Sequence, residues 1–324
     1  MTFPVIHSTL DPVALTNEVQ ARYDVIPPLT CQLISRANND FYRFSSDSIH
    51  YALRVAKAKF RKPADYFYEA EYLIHLQKAK YSAPRPYKAL DGTYFFEVDA
   101  PEGSRTITLF SWLDGEVYNK HLEVSDAHKM GRSLAKLHTC GESFNPRYPR
   151  TINTIKILEE RAPFLMEMLK IDKSARSFYI DAMDNVVKAY QSLSNSRLPK
   201  GPVHGDFQFA NVMLLRSGGL AALDFDTCGF GFFSEDICTF LWRSDMEIKS
   251  TEINDSFLDG YSSIRVLSIE ESEAIKIFRV ARDLVMSASY ALLINRVGPV
   301  SGFDGDFSPF TVLAKKHLKE ANIS

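Results

Sequence analysis

The spacing of apolar residues changes character part-way along the chain. Between Leu33 and about Leu113, short apolar runs alternate with turn-forming residues and are broken once by a helical stretch. Beyond Ser125 the apolar residues instead recur every three or four positions over long segments. This grammar predicts an α+β fold in two lobes: residues 1–113 build a small lobe from an antiparallel sheet plus a helix, and residues 114–324 build a larger, mainly helical lobe. A chain of 324 residues can hold two cores, since single cores stop growing at roughly 250 to 300 residues.

In the first lobe, Phe41-Tyr42-Arg43-Phe44, the polar turn Ser45-Ser46-Asp47-Ser48 and residues 49–55 read as strand, turn, strand. Phe67, Ala70, Leu73, Ile74 and Leu76 predict a helix over 65–80, stopped by Pro84 and Pro86. Residues 94–98 and 105–110 form a second strand pair around a turn at 99–103, and 111–115 connect to the second lobe. Helices are predicted there over 125–138, 152–169, 174–193 and 268–295. Tyr179, Met183, Val186, Val187 and Tyr190 share one face of the third, and Ser268 with Glu271 makes a capping box for the last.

Composition narrows the function. With 45% hydrophobic residues, neither a disordered nor a fibrous class fits. Lys+Arg 38 against Asp+Glu 40 leaves no basic stripe for a phosphate backbone, so nucleic acid is not the expected partner. No apolar run approaches the roughly 18 residues of a membrane span. Four cysteines without C-x-x-C spacing and an N-terminus without a signal-peptide pattern fit a reducing cytoplasm.

The chemistry concentrates in residues 202–226. Four apolar residues from Val212, a turn with Gly218 and Gly219, and four more apolar residues from Leu220 predict a hairpin with Asn211 and Asp224 at its open ends. An Asn carbonyl and a carboxylate are hard oxygen ligands suited to Mg²⁺, which takes its remaining ligands from water and substrate phosphates. Asp206, on the loop entering the hairpin, supplies the carboxylate that phosphoryl transfer needs to orient an acceptor hydroxyl and accept its proton.

His204-Gly205-Asp206 to Asn211, followed by Asp224-Phe225-Asp226, resembles the signature of the aminoglycoside phosphotransferase family, a branch of the protein-kinase-like superfamily that also holds choline and homoserine kinases. The resemblance covers most of the chain. It implies a protein-kinase-like fold, Mg²⁺ as cofactor, and ATP or GTP as co-substrate beside a small-molecule acceptor. Asp206 would be the catalytic base, Asn211 and Asp224 the metal ligands, and Asp226 an aid to metal or acceptor.

The same resemblance places Asn38-Asn39-Asp40-Phe41 in a nucleotide-covering hairpin that lacks the glycine-rich repeat. It makes Arg54 the phosphate-binding cation, with Lys57 and Lys59 as substitutes, and Ala52 the small residue over the adenine on the same strand face. Glu69, with Glu71 as competitor, would pair with Arg54. Residues 108–115, including Phe110 and Trp112, resemble the hinge along the adenine edge, where both rings could equally serve the core. His204 and Asp236 are expected to support the catalytic loop, Ser234 to cap the next helix, His138 to be packed, and Cys228 and Cys238 to be buried, inert thiols.

The acceptor cleft would come from residues 152–193 and 245–295. Glu159, Glu160, Asp181 and Asp184 could face a cationic acceptor or form a solvated helix surface. A Ser/Thr protein kinase would use the same reaction centre, and a nucleotide-binding regulator without catalysis is a reading of another class.

Overall fold

Five strands, paired antiparallel throughout in the order Thr30–Arg36, Asn39–Ser45, His50–Ala56, Gly103–Ser111, Phe96–Ala100, form the sheet expected near the N-terminus. The computed structural model describes the chain apart from residues 1–2, 28, 37–38, 48, 119–120, 195–196, 299–304 and 324. Asn38 of the expected nucleotide-covering hairpin and Ser48 of the expected turn thus lie outside the described residues. The chain divides into two compact units, one of Met1–Glu116, Ser143–Arg150 and Met213–Asp226, the other of Val117–Glu142, Thr151–Val212 and Thr227–Ser324.

In the first unit the strands are β1 (Thr30–Arg36), β2 (Asn39–Ser45), β3 (His50–Ala56), β4 (Phe96–Ala100) and β5 (Gly103–Ser111). The two-residue period of β3 divides its side chains. Tyr51, Leu53 and Val55 join Tyr42, Phe44, Ile107 and Leu109 in an apolar core, which leaves Ala52 and Arg54 for the opposite face. A helix that sequence reasoning missed, α1 (Pro12–Arg22), contributes Leu15 and Val19 to this core, each burial stabilising by roughly 1.5–3 kcal/mol. It is capped by Asp11, which accepts the Ala14 N–H at 2.8 Å, but its apolar stripe is too thin to read.

The helix expected over 65–80 is α2 (Pro63–Lys78). It ends before Pro84 because Ala79 closes the last turn onto His75 O and Lys80 takes a left-handed φ of 58°. The prolines serve elsewhere: Pro86 bridges Phe110, flanked by bonds from Tyr87 N to Leu109 O and from Ser111 N to Arg85 O. The β4–β5 turn is tighter than expected, with Ala100 already opposite Gly103. Strands β6 (Gly115–Val117), β8 (Val212–Leu215) and β9 (Leu220–Ala222) make a three-stranded sheet in the order β6-β8-β9, with the turn closed by Leu215 N to Gly219 O at 3.1 Å as the two glycines predict.

The second unit contains α3 (Val124–Gly141), α4 (Thr154–Met168), α5 (Lys173–Ser194), β7 (Lys200–Val203), β10 (Gly229–Phe232), α6 (Phe233–Glu247), α7 (Thr251–Ser262), α8 (Ile269–Val297) and α9 (Ser308–Glu320). The central element is α8, opened by the expected box of Ser268 and Glu271. Its Val280, Ala281, Leu284 and Ala288 pack with Leu158 and Leu165 of α4, Tyr179 and Val186 of α5, Trp242 of α6 and Phe310 of α9. Strands β7 and β10 pair antiparallel. Helices α3 and α7 cross backbone to backbone: a Cβ at Gly131 would lie 1.9 Å from Phe257 O, and one at Gly260 would lie 2.0 Å from His128 O.

Candidate active site

In the second unit, β7 runs into His204-Gly205-Asp206, and the loop is held from beneath by Asp236. The Asp236 carboxylate is fully buried and accepts the His204 N–H at 2.6 Å on Oδ2 and the Gly205 N–H at 2.7 Å on Oδ1. His138 Nε2 stands 3.2 Å from the same Oδ2, while its Nδ1 meets the Tyr261 hydroxyl at 2.8 Å and its ring stacks on Phe233. Burial pushes the His138 pKa down against the pull of Asp236, so this histidine is a packed, neutral partner as expected. Gly205 is required by geometry, since its φ is 81° and a Cβ would lie 2.4 Å from Thr227 O. Ser234 does not cap α6; the helix begins at Phe233 with Phe232 as N-cap, and Glu235 and Asp236 occupy its positive first turn.

Asp206 is half-buried, and both its carboxylate oxygens are engaged. Oδ1 accepts from Arg282 Nη2 at 2.5 Å, and Oδ2 accepts from Asn211 Nδ2 at 3.0 Å and Gln208 Nε2 at 3.2 Å. Burial would raise its pKa, but Arg282, His204 and the Gln208 hydrogen bond outweigh burial and hold it below the ordinary carboxylate value. The residue therefore stands as an anion at neutral pH. His204 is fully buried and its Nδ1 accepts the Asp206 N–H at 3.3 Å, a loop-supporting contact.

Asn211 ends a short 3₁₀ turn over Phe209–Asn211 and donates its amide to both the backbone oxygen of Asp206, at 2.9 Å, and its carboxylate. With both Nδ2 protons directed at Asp206, the carbonyl Oδ1 is the atom Asn211 can offer a cation.

In the first unit, Arg54 is 2% exposed and meets Glu69 of α2 through two parallel bonds, Nη1 to Oε1 at 2.6 Å and Nη2 to Oε2 at 2.7 Å. Its guanidinium lies 5.1 Å from the Phe110 ring centroid. Ala52 is opposite Phe110 in the β3–β5 register, so Ala52, Arg54 and Phe110 form one surface. Trp112, just past the end of β5, stands edge-on to His50 with Arg43, the cross-strand partner of Ala52, over its ring. Glu71 bonds Arg147 instead, so Glu69 is the partner of Arg54.

Asp224 and Asp226 also belong to this unit. Asp226 is 6% exposed and accepts from Asn39 Nδ2 at 2.8 Å, while Arg150 binds its backbone oxygen. Burial would lower the Arg54 pKa, but the charges of Glu69, Asp226 and Asp224 raise it. Asp224 holds a φ of 60°, uncommon for any residue but glycine. The carboxylate of Asp224 and the carbonyl of Asn211 are donors of the hard kind that Mg²⁺ accepts.

Residues 30–272 match the model of the phosphotransferase enzyme family. The chain belongs to that family. Among curated relatives, an uncharacterized protein of Synechocystis, sll1119, is 31% identical over 85% of this chain and 76% of its own. A homoserine kinase of Acidiphilium cryptum is 23% identical over 78% of this chain and 77% of its own. Among solved structures, a microcompartment-associated aminopropanol kinase superposes with a TM-score of 0.78 at 20% identity, covering 96% of this chain and 99% of its own. The amicoumacin kinase hAmiN, in complex with AMP-PNP, Ca²⁺ and Ami, gives a TM-score of 0.74 at 18% identity, covering 96% and 93%. The protein-kinase-like α+β fold expected from the sequence is the fold of these structures.

Two residues of this phosphotransferase escaped the sequence reading. Arg61 donates to Glu69 Oε2 at 2.6 Å and to Asp65 O at 2.7 Å, making Glu69 a carboxylate shared by two arginines. Its place, eight residues before Glu69 and beyond Lys57 and Lys59, carries no periodic signal. Arg282 sits mid-helix in α8, 76 residues from Asp206, where nothing in local spacing distinguishes it from a solvated helix arginine. Cys228 and Cys238 are buried, and burial raises the Cys238 pKa, as for an inert thiol. Glu159, Glu160, Asp181 and Asp184 are all exposed on the helix surface. Among the described residues no helix is long and apolar enough to cross a membrane.

Proposed function

We propose that this phosphotransferase moves the γ-phosphoryl group of ATP or GTP to a hydroxyl of a small molecule, with Asp206 as catalytic base. The observation that carries the reading is the Asp206 carboxylate, kept ionised at the end of a glycine turn that Asp236 ties down by two backbone N–H bonds. The amicoumacin kinase, solved with a nucleotide analogue and a divalent cation, and the aminopropanol and homoserine kinases, which act on small alcohols by name, support it.

In this reading the acceptor hydroxyl donates its hydrogen bond to Asp206. Its oxygen forms a bond to the γ-phosphorus, the bond from that phosphorus to the nucleoside diphosphate breaks, and the proton passes to the carboxylate. Arg54, oriented by the two bonds it donates to Glu69, grips phosphate oxygens, and Ala52 and Phe110 on the same face flank the nucleotide base, with Trp112 just beyond the end of β5. Asn211 and Asp224 would hold Mg²⁺, which when bound neutralises charge on the transferring phosphoryl group. Asp226 accepts from Asn39, the first residue of β2, and so holds that end of the strand.

The test is transfer of label from γ-labelled ATP and GTP, with Mg²⁺, into aminoglycosides, amino alcohols, hydroxy amino acids and a generic protein, with Asp206→Ala as control. Label in a small molecule that vanishes in the variant supports the reading. Label in protein alone would replace it with a protein kinase, and turnover unaffected by Asp206→Ala would remove Asp206 from the base role.

A further inference from the structure

Arg282 occupies the place where the acceptor of an Asp206-dependent reaction must bind. Its Nη2 lies 2.5 Å from Asp206 Oδ1, its guanidinium stands over the Trp242 ring, and the side chain is 23% exposed. Oδ2 of Asp206 is already taken by two amide donors, leaving Oδ1, the oxygen shared with Arg282, as the one open to an acceptor hydroxyl. A fixed arginine on a general base is a poor arrangement by itself, because it makes the carboxylate a weaker proton acceptor. It becomes a useful one if the acceptor brings its own anionic group for the arginine to hold.

A second cation stands on the same side of α8. Arg161 of α4 donates to Ser289 Oγ at 2.5 Å, and Ser289 is seven residues, or two turns, beyond Arg282. Burial depresses the Arg161 pKa, Glu160 works against it, and the charges of Arg282 and Arg296 add to the depression. Arg296 is seven residues further along, completing a cationic stripe. Glu160 offsets it weakly, being 63% exposed and 3.9 Å from Lys156. Arg282 on Asp206 and the partly buried Arg161 two turns away repel one another, an electrostatic cost that an anionic ligand would relieve.

We propose that the acceptor is a hydroxy acid, whose carboxylate is taken by Arg282 while its hydroxyl is presented to Asp206, with Arg161 as the second cation of the same subsite. The inference rests on Asp206 being the base and deepens that reading by assigning the acceptor's charge. A guanidinium matches a planar carboxylate through two parallel bonds, whereas an aminosugar or amino alcohol without an anion would meet like charge here. The exposed carboxylates of α4 and α5 do not supply the counter-charge such cations need at Asp206.

The experiment pairs each acid with its amide. A series of ω-hydroxy carboxylates and hydroxy amino acids, each beside its uncharged carboxamide, is assayed for transfer and, separately, for calorimetric binding with a non-hydrolysable nucleotide and Mg²⁺. The expected result is a preference for the acids that falls roughly 100-fold in Arg282→Gln, mainly through KM, and is partly restored in Arg282→Lys. Thermal unfolding of each variant separates loss of the subsite from loss of the fold. An acid-to-amide ratio unchanged in Arg282→Gln, or amines outcompeting acids, would overturn the inference while leaving the kinase reading intact. If no compound is phosphorylated, the kinase reading fails, and binding still decides: acid binding that depends on Arg282 upholds the anionic subsite, and its absence refutes it.

Discussion

Arg54 and Glu69 face each other across two bonds of 2.6 and 2.7 Å, both side chains almost wholly buried, and Arg61 closes on the same carboxylate. Burial alone would raise the Glu69 pKa, yet the two arginines bring it down to about 2. A carboxylate whose folded pKa is depressed stabilises the fold fully above its unfolded pKa and loses that contribution as pH falls through the folded value. Glu69→Gln should therefore cost about 3 kcal/mol at neutral pH. Urea unfolding across a pH series should show the gap from wild type closing between about pH 4.5 and about pH 2. A gap that stays constant to low pH would contradict the shared-carboxylate picture.

Asp206→Asn should lower kcat by about 100-fold to 10,000-fold while nucleotide affinity changes little, because the part proposed for the residue is acceptor positioning and proton acceptance. Steady-state kinetics beside a nucleotide binding titration separates the two quantities.

The pH profile carries its own forecast. Arg282 and His204 hold the Asp206 pKa below its ordinary value, so the acidic limb of kcat/KM should lie at low pH in the wild type. Arg282→Gln removes the guanidinium on Oδ1 and should move that limb to higher pH. A limb that does not move would mean that another group limits the reaction at low pH.

Asp236→Asn keeps the shape but can no longer accept from both His204 and Gly205 as an anion, which should cost about 1–3 kcal/mol of stability and lower kcat more than it changes nucleotide affinity. Gly205→Ala should act on the same loop by sterics, its Cβ driven toward Thr227 O. Thermal melts and kinetics on both variants would test whether one loop position underlies both losses.

Asp224→Ala should raise the Mg²⁺ concentration needed for half-maximal rate, and turnover that is indifferent to Mg²⁺ would remove Asp224 and Asn211 from the metal role.

Much of this was legible in the residues alone. The alternation through β2 and β3, the Ser268 box of α8 and the Gly218-Gly219 turn all produced the elements they announced, because each is a local signal answered by local backbone geometry. Helix α1 stayed hidden because only Leu15 and Val19 are buried on it, and α2 was overrun because the stop lies in the backbone of Ala79 and Lys80 rather than in a proline. In the site, the Arg54–Glu69 pair was implied by the family resemblance, with the two-residue strand period adding only that Ala52 and Arg54 share a face. Arg61 and Arg282 were not, since both reach their carboxylates by tertiary packing, and an arginine's reach of several bonds leaves no periodic trace.

The glycine crossing of α3 and α7 sets a standard of precision for the loop it supports. His138 rides on α3 and is met by Tyr261 of α7; its other ring nitrogen meets Asp236, which in turn holds Gly205. Where main chain abuts main chain, no rotamer can relax and no side chain can be trimmed to fit, so the separation of the two helices is fixed by bond lengths and van der Waals radii. The dimensional tolerance of the loop that carries Asp206 is thus inherited from covalent geometry, and the amide protons along that crossing should be among the last in the second unit to exchange with solvent.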